Sequence, residues 1–509
     1  MRKKITAVLI IFAITAAVLY SCASDGDADE NNGVQNITET GNNGAVTGEA
    51  VDETIVSDDS KILPDLPEMD LGGQVFNFYV MGRDRNVNNY SVEIYAEELT
   101  GDTINDAVFL RNKYIEEKYN LEITEFPETQ SSLSSAVRGR LMANEDIYQV
   151  LMMNLRDSAA LANEGLLVNL RDVEHIDFNK PWWDKASNDG FSIANQLNFA
   201  VGDINIMDNN ATWAVFFNKK LISELDLELP YVHVRNNEWT LDTYHAASRA
   251  AAQDLNGDGI MDPDDDRWGT VGDYLNTFML FIASGETVIR KNNDDLPYFE
   301  MLNSRSADVL NKVMDIQLDR ESTVHANEHS SKYANVYSDM VRRNFREDRS
   351  LFYIAGLLTF TLLRDMESEF GMVPMPKLDS AQDNYYTTFN HSNASALSIP
   401  VTNAKLAETG LLVEALSAES MYTLTPAYFE VALERKYMRD EESRDMLEII
   451  LSTRMVDLTT IYDWGGAQSI FETLTQRSSR NFTSEFERIQ GRIESGIEST
   501  AEKILSFDQ

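Results

Sequence analysis

The residues with the most defined chemistry lie in the run Asp254-Leu-Asn256-Gly-Asp258-Gly259-Ile260-Met-Asp262-Pro-Asp264-Asp265. Calcium takes about six to eight hard oxygen ligands on a flexible turn. Alternate side chains at Asp254, Asn256 and Asp258 can converge on one ion, Gly259 allows the sharp bend, and the Ile260 carbonyl and Asp262 continue the shell. Asp265 stands at position twelve, where an EF-hand has Glu. The spacing predicts a bound Ca²⁺ that braces the structure rather than switching it. A second pattern, His325-Ala-Asn-Glu328-His329, matches H-x-x-E-H. Zinc chemistry would need both histidines on one helical face. The polar Ser, Thr and Asn around them support a helix poorly, and no third ligand follows, so the segment reads as solvated residues between elements. No P-loop, G-x-S-x-G or dinucleotide fingerprint occurs, and the chain is expected not to be an enzyme.

Aromatic residues beside polar ones form the other candidate chemistry. Sugar rings present apolar C–H faces that stack on aromatic rings, while their hydroxyls pair with amides and carboxylates. Trp213 (near Asn209, Asn210 and Thr212) and Trp464 (beside Asp463, Gly465 and Gly466) are the leading ligand candidates, with Trp183, Tyr353, Phe389 and Asn209 as further ones. A single Trp is more often a core anchor than a ligand contact.

Periodicity shows which elements must position these groups. Val75 to Val80 reads as a buried strand, and a helix follows from about Ile104 to Lys118 with Thr103 and Asp106 as its capping box. Leu121 to Phe126 alternates like a strand, a second helix fits Ser132 to Ala143, and another strand fits Tyr148 to Met153. Strand–helix–strand repetition requires a parallel sheet with crossover helices, so the fold class is α/β. Trp213 to Phe217, the helix Thr240 to Ala252, Phe352 to Ile354 and Gly371 to Pro374 suggest a second such unit. Tyr385 to Pro400 is strand-like, a helix follows at Ala404 to Ala418, and the last ninety or so residues are mostly helical. There, Phe482, Phe486, Ile489, Ile493, Ile497 and Ile504 make one apolar stripe, which reads as core-facing.

The N-terminal segment bears on location. Met1-Arg2-Lys3-Lys4 precedes an apolar run from Ile5 to Tyr20, too short for a stable span, and then Ser21-Cys22. Leu19, Ser21 and Cys22 resemble the bacterial lipobox, in which the Cys is lipidated and becomes the new N-terminus. Cys22 is the only cysteine of the 509 residues, so no intrachain disulfide exists. From Cys22 to Glu68 the chain has twelve acidic residues, one basic residue and no aromatic, the composition of an extended tether. With Lys+Arg 43 against Asp+Glu 83, and a net charge of -40, nucleic acid is excluded as a partner. The hydrophobic fraction of 43% is ample for a large core.

With these residues placed, the chain from about residue 71 onward resembles the extracellular solute-binding lipoproteins of bacterial ABC importers. The nearest group is the carbohydrate-binding one that includes maltose- and alginate-oligosaccharide-binding proteins. Phe216-Phe-Asn218-Lys219-Lys220-Leu221 resembles the family's tyrosine-Asn-Lys stretch, and Asn237-Glu-Trp239-Thr240-Leu-Asp242 its Trp-Thr helix start. The acidic loop follows, ending at Trp268-Gly269, with the closing ligand open between Asp262, Asp265 and Asp266. Ala355-Gly356 and Phe370-Gly-Met-Val-Pro374-Met-Pro376 resemble the segments before the return crossover.

The resemblance implies a two-lobed periplasmic-binding-protein-like fold of class II, each lobe a sheet with flanking helices. It implies a signal peptide at 1–21, a tether at 22–68, and an N-lobe at 69–202 completed by part of 391–509. The C-lobe would occupy 203–390 with the calcium loop at 254–266, and 391–509 would return to the N-lobe and end in the helical region. Crossings are expected near Val201 to Asp203 and Asn390 to Ser398, with more strands near Asp457 to Trp464. The implied function is a monomer, anchored outside the cytoplasmic membrane through Cys22, that captures a carbohydrate and delivers it to ABC permease subunits. A binding protein for peptides or another polar nutrient, or a secreted lipoprotein hydrolase, are the alternatives.

Overall fold

A computed structural model describes residues 61–433 and 441–507. The expected signal peptide, Cys22 and most of the tether lie outside the described residues. Residues 61–70 have no regular structure. Among the described residues, no helix is long and apolar enough to cross a membrane.

The strands, in chain order, are β1 (Gln74–Met81), β2 (Leu121–Glu128), β3 (Val150–Asn154), β4 (Trp213–Asn218), β5 (Trp268–Gly272), β6 (Ile289–Lys291), β7 (Pro297–Phe299), β8 (Thr323–His325), β9 (Ser350–Gly356), β10 (Phe370–Val373) and β11 (Ser395–Ser398). They form two main sheets. The first has the order β11-β3-β1-β2, with β1 parallel to β2 and β3 and with β11 antiparallel to β3. The second has the order β10-β4-β9-β5-β8, in which β4 runs antiparallel to β9 and β10 while β5 runs parallel to β8 and β9. A small hairpin joins β6 to β7.

The β1–helix–β2 unit shows how local chemistry builds the first sheet. Its helix, Thr103–Tyr119, is capped by Asp102, whose carboxylate accepts from the Asn105 N–H at 2.9 Å. Asp106 instead receives the N–H groups of Thr100 and Gly101 in the preceding turn. The expected box at Thr103 is therefore displaced by one residue: Asp, with a charged acceptor, outcompetes the neighbouring Thr. Asn120 ends the helix in the left-handed region (φ 50), which Asn tolerates. Of the apolar residues spaced along one face, Val108, Ile115 and Tyr119 are buried and Ile104 is half-buried, and Arg111 and Asn112 join them by bonding to the Glu93 and Ile94 carbonyls.

Only Ser395 to Ser398 of the expected strand at 385–400 joins a sheet; its earlier residues make single bridges, Thr387 with Arg454 and Thr212 with Phe389. These bridges and Ala200 with Leu397 mark where the chain passes between the lobes. The third crossing segment lies at 453–455 rather than at 457–464, because Thr387 donates to the Thr453 carbonyl and accepts from the Met455 N–H across the bridge to Arg454.

Across the C-terminal region, the helix Phe482–Ser506 buries Phe482, Phe486, Ile489, Ile493, Ile497 and Ile504, each worth about 1.5–3 kcal/mol of burial. Phe486 meets Phe299 of β7 and Phe471, so this stripe is core, as its periodicity predicts.

Candidate functional site

A cavity of about 350 Å³ opens at the ends of β4, β5 and β9, at the lower end of the range for small-ligand pockets. Its walls come from several elements. Trp213 starts β4, and Tyr353 to Gly356 end β9, paired with it in the register Trp213↔Gly356 and Phe216↔Tyr353. Glycine is required at 356: a Cβ there would lie 2.9 Å from the Asn210 carbonyl oxygen. Gly272 ends β5 and delivers Asp273 to the wall. Tyr337 and Val341 come from the π-helical turn Tyr337–Arg342, a geometry recurrent at functional sites. Asn89 and Asn393 come from the first lobe, and Asn390 from the returning crossing.

Hydrogen bonding leaves this cavity under-satisfied. Asn89 donates to the Asn393 carbonyl at 3.2 Å, but its Oδ1 has no partner. The indole N–H of Trp213 has none. Asp273 accepts from the Tyr337 hydroxyl at 3.3 Å through Oδ2, and its Oδ1 makes no hydrogen bond. Buried polar groups are normally paired, so these three atoms on one cavity wall are free to meet a ligand. Burial pushes the Asp273 carboxyl above its ordinary range and the Tyr353 phenol up to about 12. A second cavity of about 420 Å³ adjoins at Tyr337 and is lined also by Tyr274, Asn327, Ser330, Glu472 and Gln476.

The structure brings only some of the sequence candidates to this place. Trp213 and Tyr353 line the cavity. Asn209 sits beside it, its side-chain Oδ1 accepting from Arg454 at 3.0 Å, while its neighbour Asn210 lines the wall. Trp183 is packed into the first lobe and donates to Glu414 at 3.0 Å. Phe389 is buried against Phe191 under the Arg454 guanidinium. Trp464 stacks on Tyr462 (4.8 Å, 8°) and donates to Thr500. For Trp183, Phe389 and Trp464 the ligand expectation is thus corrected to packing, since each has its faces and any N–H occupied by protein. Asn89, Asn210, Asn390, Asn393, Asp273 and Tyr337 were missed. The signal for some of them was present: Asp273 directly follows a strand, and Asn390 and Asn393 sit in a polar segment before β11.

The acidic loop lies apart from that cavity and is closed on itself. Asp254 accepts from the Gly257 and Gly259 N–H groups, Asn256 from Asp258, and Asp258 from Ile260. Asp266, fully buried, accepts from Leu255 and Asp262, whereas Asp265 is exposed. Asp262 and Asp264 are balanced by Lys332, and Asp264 also by Arg343 and the Tyr333 hydroxyl. Among the described residues no three acidic, His or Cys side chains are grouped as around a metal; the side chains as they stand do not form a shell. The ties to Lys332, Tyr333 and Arg343 anchor both ends of the segment that carries Tyr337.

The H-x-x-E-H segment is less solvated than its composition suggests. His325 ends β8, is buried, and bonds through Nε2 to the Gln317 carbonyl at 2.9 Å. Glu328 pairs with Arg320 at 2.6 Å. His325 Nε2 and Glu328 are thus engaged by the C-lobe itself, while His325 Nδ1 has no partner.

No protein-family model matches the sequence, and no curated protein does. Solved structures do match. The sugar-binding protein MalE from Xanthomonas citri is similar with a TM-score of 0.56 at 13% identity, over 86% of this chain and all of that one, 100%. UspC of M. tuberculosis gives 0.54 at 14% identity, over 83% and 100%. The ABC substrate-binding protein Lmo0181 from Listeria monocytogenes, in complex with cycloalternan, gives 0.51 at 12%, over 85% and 98%. The fold is that of the two-lobed substrate-binding proteins, with α/β lobes.

Proposed function

We propose that this chain is a carbohydrate receptor of an ABC importer, capturing its ligand between the two lobes. The observation that carries the reading is the cavity wall itself: aromatic faces at Trp213, Tyr337 and Tyr353 beside four asparagines and Asp273, with Trp213 Nε1, Asn89 Oδ1 and Asp273 Oδ1 lacking partners. Aromatic faces suit the C–H side of a sugar ring, and amides and carboxylates suit its hydroxyls. Residues from both lobes share the wall, so a ligand touching both favours the closed form; this is a hinge equilibrium shifted by binding. The structures of similar fold are named as binding proteins, which favours capture over turnover.

Delivery to permease subunits, and anchoring outside the membrane through a lipid on Cys22, extend the proposal from the sequence. For the acidic loop we propose a bracing Ca²⁺, on its spacing; Asp254, Asn256, Asp258, Ile260 and Asp262 would supply ligands, and the buried Asp266 competes with exposed Asp265 to close the shell. Isothermal titration with mono- and oligosaccharides, alongside peptides, tests the main reading. Saturable binding of a sugar without product is the expected result. Binding of peptides with no response to any sugar would overturn it.

A further inference from the structure

The charge lining the cleft narrows the ligand, on the premise that it is a sugar. Asp273 is the one charged residue on the wall of the first cavity, and Glu472 the one on the wall of the second, which adjoins it at Tyr337. Asp463 is close enough to act on Glu472 as well, and Glu472 is held above its ordinary range by burial first and then by both aspartates. Among the described residues, Asp273, Glu472 and Asp463 form no ion pair. Arg156 acts on Asp463, and the N–H groups of Leu275 and Asn276 ease the charge on Asp273, but neither neutralises the group. Some buried carboxylates of this chain are given cations, as Glu286 by Arg305 and Asp208 by Arg454; others, such as Glu414 and Asp457, have N–H donors instead. Among the described residues, Asp273 and Glu472 have no cation and face cavities.

Two further features of the wall suit a ligand. The Trp213 indole and the Asn89 carbonyl, on residues only 6% and 2% exposed, stand on the same wall without partners. The aromatic rings there attract positive charge through their faces. A neutral sugar would give Asp273 hydroxyl donors yet leave the repulsion among the carboxylates, and a uronate would add to it. A cation relieves it. A strongly acidic molecule, -40 overall, also draws such a ligand in.

We propose that the ligand is a sugar bearing an ammonium group, an amino sugar or its oligomer, with the ammonium paired to Asp273. The test is isothermal titration of the full chain with a glucosamine oligosaccharide, its N-acetylated counterpart and a neutral glucose oligosaccharide, at about pH 6 where an ordinary amine is charged. The amine-bearing ligand should bind at least about tenfold more tightly than the acetylated one, and added salt should weaken it. Asp273→Asn should bring that ratio toward one, and Glu472→Gln should reduce it by less. If Asp273→Asn does not fold, the wild-type ratio decides alone. Equal or tighter binding of the neutral or acetylated sugar overturns the ammonium assignment while leaving the sugar receptor standing. Binding of peptides alone overturns both.

Discussion

Replacing Arg454 with methionine should destabilise the molecule strongly at alkaline pH and less so at acid pH. The guanidinium lies in the third crossing segment and is nearly buried. It bonds Asp184 at 3.0 Å, Asp208 at 2.9 Å and the Asn209 Oδ1 at 3.0 Å. Asp184 would keep other donors, the Ser187 N–H and hydroxyl. Asp208 would not fare so well, because its side chain is 2% exposed and its Oδ1 already lacks a partner. Leaving such a charge uncompensated costs about 3–5 kcal/mol.

The pH dependence follows from the carboxyls themselves. Burial raises Asp208 to about 6 and the neighbouring Asp203 to about 7, and Arg454 opposes the rise in both. A carboxyl raised in the folded state contributes stability that is present below its unfolded value near 4 and is lost as pH climbs through the folded value. Without the guanidinium both folded values move higher still, so at about pH 5 the orphaned carboxyls are protonated and the deficit shrinks by about 1–2 kcal/mol. Urea denaturation of wild type and Arg454→Met at about pH 5 and 8 measures this. A deficit below about 1 kcal/mol at the higher pH, or one identical at both, would refute the reasoning.

Trp213→Ala should weaken sugar binding by tenfold or more, on the scale of about 1–3 kcal/mol for a lost aromatic stacking face, whereas Trp464→Phe should leave it alone and cost about 1 kcal/mol of stability through the lost bond to Thr500; titration and melting curves on both variants separate the effects. If the acidic loop holds calcium, a chelator should lower Tm and Asp254→Ala should remove that response; no change in either leaves the loop a turn. Gly202→Ala, in the first crossing, should destabilise by about 1–3 kcal/mol, because a Cβ there would collide with the Trp182 carbonyl and sit 2.9 Å from the Trp183 ring, and a melt of the variant reads it directly.

The first lobe was legible in the chain because each element carries its own signal: a strand, a helix with a repeating apolar face and an αL Asn stop, then a strand. The same holds for the apolar stripe of Phe482–Ser506. The strand-like stretch from Tyr385 to Pro400 was not resolvable in the same way. Its residues suit extended backbone throughout, and only the arrival of β3 turned Ser395 to Ser398 into sheet while leaving Thr387 and Phe389 as single bridges.

Among the candidate aromatics, Trp213 and Trp464 looked alike, each flanked by polar and turn-forming residues. One begins a strand at the lip of the cleft with its N–H unclaimed; the other lies flat on Tyr462 with its N–H bound to Thr500. The sequence by itself determined the α/β alternation, the acidic loop spacing, the lone cysteine and the surplus of negative charge, because these are properties of neighbours along the chain. Only the tertiary structure decided which polar groups lack partners and which carboxylates lack cations. Satisfaction of a hydrogen bond or a charge depends on residues hundreds of positions away, and Arg454 with Asp184 beside the unpaired Asp273 is the contrast that shows it.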